Sequence, residues 1–347
     1  MPGVPASLSG ERGERGIRGR LVTILVGYGA LALAACLLAP LAGSTHISLA
    51  RAFDRSIPFP DNVDAQIFFV ARMPRVLTGA IVGSTLAAAG VVMQALLGNP
   101  LATPFTLGVS TGAALGAVLA ITFGSSFPFG AVVSVPLASL AGAVVASAIV
   151  YVLATRPGRP ISTMVLLLAG VTLNAFFSAL ILFVQYAADF TQAYRTIRWL
   201  MGDLDIGSFA PIVSSLPLVL VSLGIFAFLP RSLNLLSVGA DSAATRGVDV
   251  GLTQRLAFFS ASLATAAAVS LAGPIGFVGI VVPHLVRLMV GVDHRIVLPA
   301  SALFGAAFLI GCDLIARTVL APVEVPVGVV TAMLGGPFFL WLLVRRS

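Results

Sequence analysis

RMPRVLTGAIVGSTLAAAGVVMQALLGNPLATPFTLG, residues 72–108, carries two arginines one turn apart, a long apolar run dotted with Gly, Ala, Ser and Gln, and a helix-breaking NPLATP corner. Another apolar run follows. The rest of the chain has the same character: 58% of residues are hydrophobic, 10% are charged, and the mean hydropathy is +1.06. A soluble domain would carry about 25% charged residues, so the solvent for this chain is a bilayer. At roughly 20 residues per crossing plus a connection, 347 residues hold about ten transmembrane helices. The 35 Gly and 21 Pro fit, because neighbouring membrane helices satisfy the backbone groups such residues free.

The net charge of +7 comes from 20 arginines and no lysine. Basic charge in a membrane chain records orientation, and the basic stripe that nucleic-acid binding needs is missing. Cys36 and Cys312 both lie in apolar runs and suggest neither a disulfide framework nor a metal site. Leu33-Ala34-Ala35-Cys36 looks like a lipoprotein cleavage box, but the apolar run continues past the cysteine.

Working outward from the opening stretch, residues 1–20 are polar, Gly-rich and basic, and read as a disordered cytoplasmic tail. Residues 21–347 read as one membrane domain, with spans expected at about 21–42, 66–97, 104–123, 131–155, 162–187, 209–229, 256–272, 276–291, 296–318 and 326–344. The segment 124–130 and the RPGRP turn, 156–160, separate the third to fifth of these. Segment 189–205 is amphipathic and too polar to cross, so it reads as a short helix on the outer surface. The longest internal polar loop, 232–255, holds a short Ala-rich helix between Gly239 and Gly247. With both termini cytoplasmic, thirteen arginines fall inside and seven outside, as the positive-inside bias requires. The fold class is therefore all-α, a polytopic protein of ten transmembrane helices.

Several motifs, in order, carry a resemblance: RMPR at 72–75, GSTLAAAGVVMQALLGNPLATPFTLGVSTGAALG at 83–116, ADSAATRG at 240–247, GPIGFVGIVVPHLVR at 273–287, DHRIVLPASAL at 293–303, and EVPVGVVTAMLGGPFFLWLLVRR at 324–346. The chain resembles the FecCD-type permease family over nearly everything after residue 20. These are the membrane subunits of type II ATP-binding-cassette (ABC) importers for cobalamin, ferric siderophores and haem.

Arg72 and Arg75 lie at the outer end of the second span, where interfacial snorkelling is the ordinary fate of arginine. The resemblance implies that they, with Arg317, receive acidic residues of a substrate-binding protein. Asp313, four residues before Arg317, offers a purely structural pairing instead. Glu324 reads as a cap of the last span, with a transport-coupling carboxylate as the alternative. Asn99, Leu101, Ser162 and Thr163 sit at inner span ends as turn and cap residues; the resemblance implies that these two corners also form inner gates across a dimer axis. Asn174, Ser178 and Gln185 give the fifth span a polar face that either lines a path or joins helices by hydrogen bonds, and the resemblance favours the path.

The loop of Gly239, Asp241, Ser242, Ala243, Arg246 and Gly247 has the shape of an element that docks in a partner's groove. The resemblance makes it the coupling element for an ATPase, although Ala240 and Arg246 depart from the family's usual glutamate and leucine. His284, in the PHxxR of 283–287, reads as packing and hydrogen bonding at a proline kink rather than as a haem ligand or proton relay.

No phosphate loop, no His/Cys/carboxylate cluster and no nucleophile beside a base is found in the sequence. The chain is therefore expected to be no enzyme and to bind no cofactor, with ATP and Mg held by separate ATPase subunits. An ion-coupled secondary transporter would need an ionisable residue near mid-membrane, and the acids here fall in loops or near span ends. The resemblance implies a homodimer in the bacterial inner membrane, two ATPase subunits, and a periplasmic or lipid-anchored binding protein. The cargo is expected to be an iron chelate, haem or ferric siderophore, with cobalamin as the alternative.

Overall fold

The computed structural model describes residues 6–124, 135–155 and 161–346, so the RPGRP turn and most of 124–130 lie outside the described residues. The regular elements among the described residues are helical. In chain order they are α1 (Ala6–Leu38), α2 (Leu49–Ala52), α3 (Val63–Gln66), α4 (Met73–Leu97), α5 (Val109–Phe123), α6 (Val135–Ala154), α7 (Thr163–Ala187), α8 (Phe190–Leu200), α9 (Ala210–Phe228), α10 (Pro230–Leu236), α11 (Ala240–Thr245), α12 (Val250–Ala272), α13 (Val278–Val290), α14 (His294–Thr318) and α15 (Val327–Arg346).

Each of the ten apolar runs carries one helix. Among the described residues seven helical runs are long and apolar enough to cross a bilayer, one of them a continuous Val63–Leu97 in which the wider turn Ile67–Arg72 joins α3 to α4. Three are shorter: α5, α13 and residues 327–342 of α15.

The shortening of α5 and α13 has a physical cause. After Leu97 the chain turns at Gly98, whose φ of 58° suits glycine. Residues 99–108 then fold back into the bundle, and Thr106 and Leu107 press against Gly170 of α7, where a Cβ would come 2.5 Å from the Thr106 carbonyl. Only then does α5 begin, at Val109 and not at the expected 104. From the opposite end, GPIG (273–276) leaves α12 beside Trp199 and Gly202, and Phe277 packs on Gly335 of α15 before α13 starts. Irregular backbone of this kind survives in a membrane only when protein covers it.

The core is built around α4, buried along most of its length, with α12 and α14 packed on it. Gly83 and Gly305 let α4 and α14 meet backbone to backbone; a Cβ on Gly83 would stand 2.2 Å from the Gly305 carbonyl oxygen. Around this core α1, α7 and α9 keep bare apolar faces, including Leu33, Leu168, Val171 and Leu220.

Two boundaries differ from expectation. α1 begins at Ala6, inside the stretch expected to be a disordered tail, because no proline interrupts helix propagation from there to Pro40. The 232–255 loop is shorter than expected: α10 and α11 occupy its first half, and α12 starts at Val250 behind an Asp249 cap whose carboxylate accepts from the Leu252 N–H at 2.8 Å. The surface helix is present as α8, opened by a reciprocal Asp189 and Gln192 cap.

Candidate functional site

At the Arg75 end of α4 the three arginines expected to dock a partner come together, but they face inward. Arg75 Nε lies 2.8 Å from Asp313 and its Nη1 2.6 Å from Glu324. Arg317 Nε pairs with the other oxygen of Asp313 at 2.9 Å, one helical turn away. Arg72 donates to the carbonyls of Pro40 at 2.9 Å and Thr45 at 2.5 Å, and Arg317 to those of Ala42 and Ala39. Arg72, Arg75 and Arg317 are 5%, 8% and 3% exposed, so none of them offers its charge to solvent in this structure.

Three guanidiniums against two carboxylates leave the cluster one positive charge in excess. The structural pairing of Arg317 with Asp313 is the one formed. Glu324 is not a helix cap: α15 opens three residues later, and the carboxylate turns back to Arg75 because a buried guanidinium demands a counter-charge. Glu324 is the cluster's exposed member, and it faces a cleft of about 560 Å³ shared with Tyr194 and Arg198.

At the other end of α4, Asn99 folds the corner upon itself. Its side-chain oxygen accepts from the Leu101 N–H at 2.9 Å, its own N–H donates to the Gln94 carbonyl at 3.2 Å, and Leu101 is left exposed. Thr103 and Thr106 cap the next turn reciprocally. Ser162 caps α7 by accepting from the Val165 N–H, with Thr163 the first residue of the helix. The Ile161 N–H just before it donates to Gln254 of α12 at 3.0 Å.

Besides the contact at Gly170, Asn174 links the corner to α7. The Asn174 amide donates to the Phe105 carbonyl at 3.1 Å, and its oxygen accepts from the Thr111 hydroxyl at 2.5 Å. Asn174, half-buried, thus joins elements by hydrogen bonds. Ser178, one turn further on, is exposed.

The loop after α10 has the expected form. Gly239 and Gly247, at φ of 132° and 82°, bracket α11. Ala243 anchors the helix in the protein while Asp241 and Arg246 stand exposed and Ser242 is half-buried. His284 is buried beside Phe338 and Phe339, and Arg287 donates to Gln94 of α4. At the start of α14, Asp293 is gripped by Arg295 at 2.7 Å. Hydrogen bonds from Arg295, aided by the Asn234 amide, hold its carboxyl down at about 2 against the opposing effect of burial.

Sequence reasoning missed Gln94, Asn234 and Gln254 as joining residues. A lone amide in an apolar run was the available signal for Gln94 and Gln254, since such a group needs a partner in the membrane.

With the geometry in hand, comparison with known proteins gives a consistent result. The FecCD transport family matches residues 31–345. The cobalamin import system permease protein of Halobacterium salinarum is 45% identical over 276 residues, 80% of this chain and 73% of that one. The hemin transport system permease protein of Yersinia pestis is 38% identical over 282 residues, 81% and 84% of the two chains. A solved structure described as an inward-facing conformation of a transporter assigned to the metal-chelate ABC type superimposes with a TM-score of 0.78, at 31% identity, over 94% of this chain and 100% of that one.

Proposed function

Because the chain belongs to the FecCD transport family, we propose that it is the membrane permease of an ABC importer for a bulky metal chelate. The observation that carries this reading is the match over nearly the whole chain, together with a shared fold at 31% identity. An iron chelate, haem or ferric siderophore, is the proposed cargo. Cobalamin is the second reading, favoured by the 45% identity to a cobalamin permease.

In this proposal all ten apolar helices cross the bacterial inner membrane, both termini are cytoplasmic, and residues 21–347 act as one domain. Two copies face each other where α7 and α15 leave Met164, Leu168 and Met333 exposed, so that the Asn99–Leu101 and Ser162–Thr163 corners close the inner end of one path. Two ATPase subunits dock on the exposed side of α11, and the nucleotide chemistry is theirs. ATP binding and hydrolysis shift the equilibrium between outward and inward states through that helix.

A substrate-binding protein docks at the Arg75 end. Arg72, Arg75 and Arg317 act there from within, holding α1, α4 and α14 in register and lending the face their excess positive charge, which favours an acidic partner and a fast encounter. The reading is tested by purifying the complex and adding the binding protein loaded in turn with haem, a ferric siderophore and cobalamin. One of the three stimulates ATP hydrolysis if the proposal is right; stimulation by none of them rejects the cargo class.

A further inference from the structure

A cleft of about 500 Å³ separates the corner after α4 from the helix that leads into α11; Gln94 and Asn99 form one wall, Asn234, Arg287, Asp293 and His294 the other. Asn234, on α10, spends its whole amide there. Its Nδ2 donates to Asp293 at 2.7 Å, and its Oδ1 accepts from the His294 backbone N–H at 2.9 Å and lies 2.7 Å from His294 Nδ1. The carboxylate can only accept, which fixes the orientation of the amide and puts a proton on His294 Nδ1. Asp293 in turn caps α14. Three contacts thus tie the base of the α11 loop to the start of α14.

From there the connection continues through short steps. Residues 291–293 join α14 to α13, Arg287 of α13 donates to Gln94, and the Gln94 carbonyl accepts from the Asn99 N–H. A Cβ placed on Gly98 or Gly239 would meet nothing within 4 Å, and both residues have positive φ. The connected elements therefore lie between two glycine turns with open space around them, and the cleft leaves the corner room to move.

We propose that Asn234 is a positioning residue that passes movement of the α11 loop to the Asn99 corner through Asp293, His294, Arg287 and Gln94. It rests on the reading of the chain as a permease driven by an ATPase bound at α11. Asn234 touches neither cargo nor nucleotide; it acts by making α10 and the α13–α14 turn move as one body.

The test uses the complete complex with its ATPase subunits in proteoliposomes, reading uptake and ATP hydrolysis together. Asn234→Asp sets a second carboxylate 2.7 Å from Asp293 and removes the side-chain amide that donates to it. The expected result is about a tenfold or greater loss of cargo moved per ATP hydrolysed, the size of a typical coupling between sites, with ATPase subunits still bound and hydrolysis little changed. Asn234→Asp combined with Asp293→Asn restores one amide and one carboxylate in exchanged positions, and asparagine still caps α14; it recovers most of the coupling ratio. An unchanged ratio in Asn234→Asp, or equal loss of uptake and hydrolysis, overturns the proposal. A wild-type complex that hydrolyses ATP without importing any chelate overturns the permease reading, and the link with it.

Discussion

Asp313 is the residue on which the arginine cluster depends, and removing its charge has a calculable cost. Its carboxylate is 1% exposed and serves two guanidiniums, at 2.8 and 2.9 Å. In Asp313→Leu, Arg317 keeps only the Ala39 and Ala42 carbonyls, and Arg75 keeps only Glu324. Stranding one side of a buried pair costs about 3–5 kcal/mol. Glu324→Gln removes the other counter-charge, but that side chain is 43% exposed, so water and salt screen the loss to about 0.5–1 kcal/mol. Replacing Arg75, Asp313 and Arg317 together by Leu, Leu and Met removes the buried pairs whole and leaves the half-exposed Glu324 and the Ala39 and Ala42 carbonyls without these partners, so it costs less than Asp313→Leu alone, about 1–2 kcal/mol.

Thermal unfolding in detergent reads these differences at roughly 2 °C per kcal/mol for a chain of this size. Asp313→Leu should lower the midpoint by about 6–10 °C, Glu324→Gln by about 1–2 °C, and the triple variant by an intermediate amount. If Asp313→Leu costs no more than Glu324→Gln, the cluster does not hold the helices and the reasoning fails. The same geometry bears on any charge reversal at Arg72 and Arg75. Both are buried, so loss of transport in Arg72→Glu with Arg75→Glu would report misfolding before it reported docking.

Three other perturbations probe the rest of the account. Gly83→Val drives a side chain into the Gly305 carbonyl, 2.2 Å from the new Cβ; with backbone on both sides the cost is about 3 kcal/mol or more, read as loss of monodisperse protein, and a normal yield would refute the α4–α14 crossing. Asn174→Leu removes the bonds that join α7 to the Thr111 hydroxyl and the Phe105 carbonyl, which keep only the Gly108 carbonyl and N–H as partners among the described residues, costing about 1 kcal/mol and weakening hydrogen-exchange protection at Thr111 and Gly112; unchanged protection would separate the corner from α7. The Asp293 carboxyl is held at about 2, below its ordinary 3.8, so its contribution is full above the ordinary value and is lost as pH falls through about 2. After discounting for exposure that contribution is about 1 kcal/mol, and a stability profile below pH 4 that is the same in Asp293→Asn would refute it.

Much of this architecture could be read from one chain because membrane helices announce themselves by composition. The apolar runs, the amphipathic α8 and the glycine-bracketed α11 depend on local pattern, and all three are present in the structure. Interactions between distant residues were not legible. Arg75 is 238 residues from Asp313 and 249 from Glu324, and no local period joins them; only the four-residue spacing of Asp313 and Arg317 showed half of the cluster. Glu324 looked like a cap because a carboxylate before a helix usually is one, and a buried guanidinium outbid the helix end. The late starts of α5 and α13 followed from close contacts, of the 106–107 backbone with Gly170 and of the Phe277 side chain with Gly335, which hydropathy does not register. Asn174 shows the same limit at a candidate site residue: its polarity was visible, but the Phe105 carbonyl and Thr111 hydroxyl that it joins were not.

That this chain forms the path of an importer driven by ATP is tested most directly in proteoliposomes containing the chain, its ATPase subunits and the loaded binding protein. Chelate should accumulate only when ATP is supplied on the ATPase side. Accumulation on a proton or sodium gradient, by the chain alone and without ATPase subunits, would contradict it.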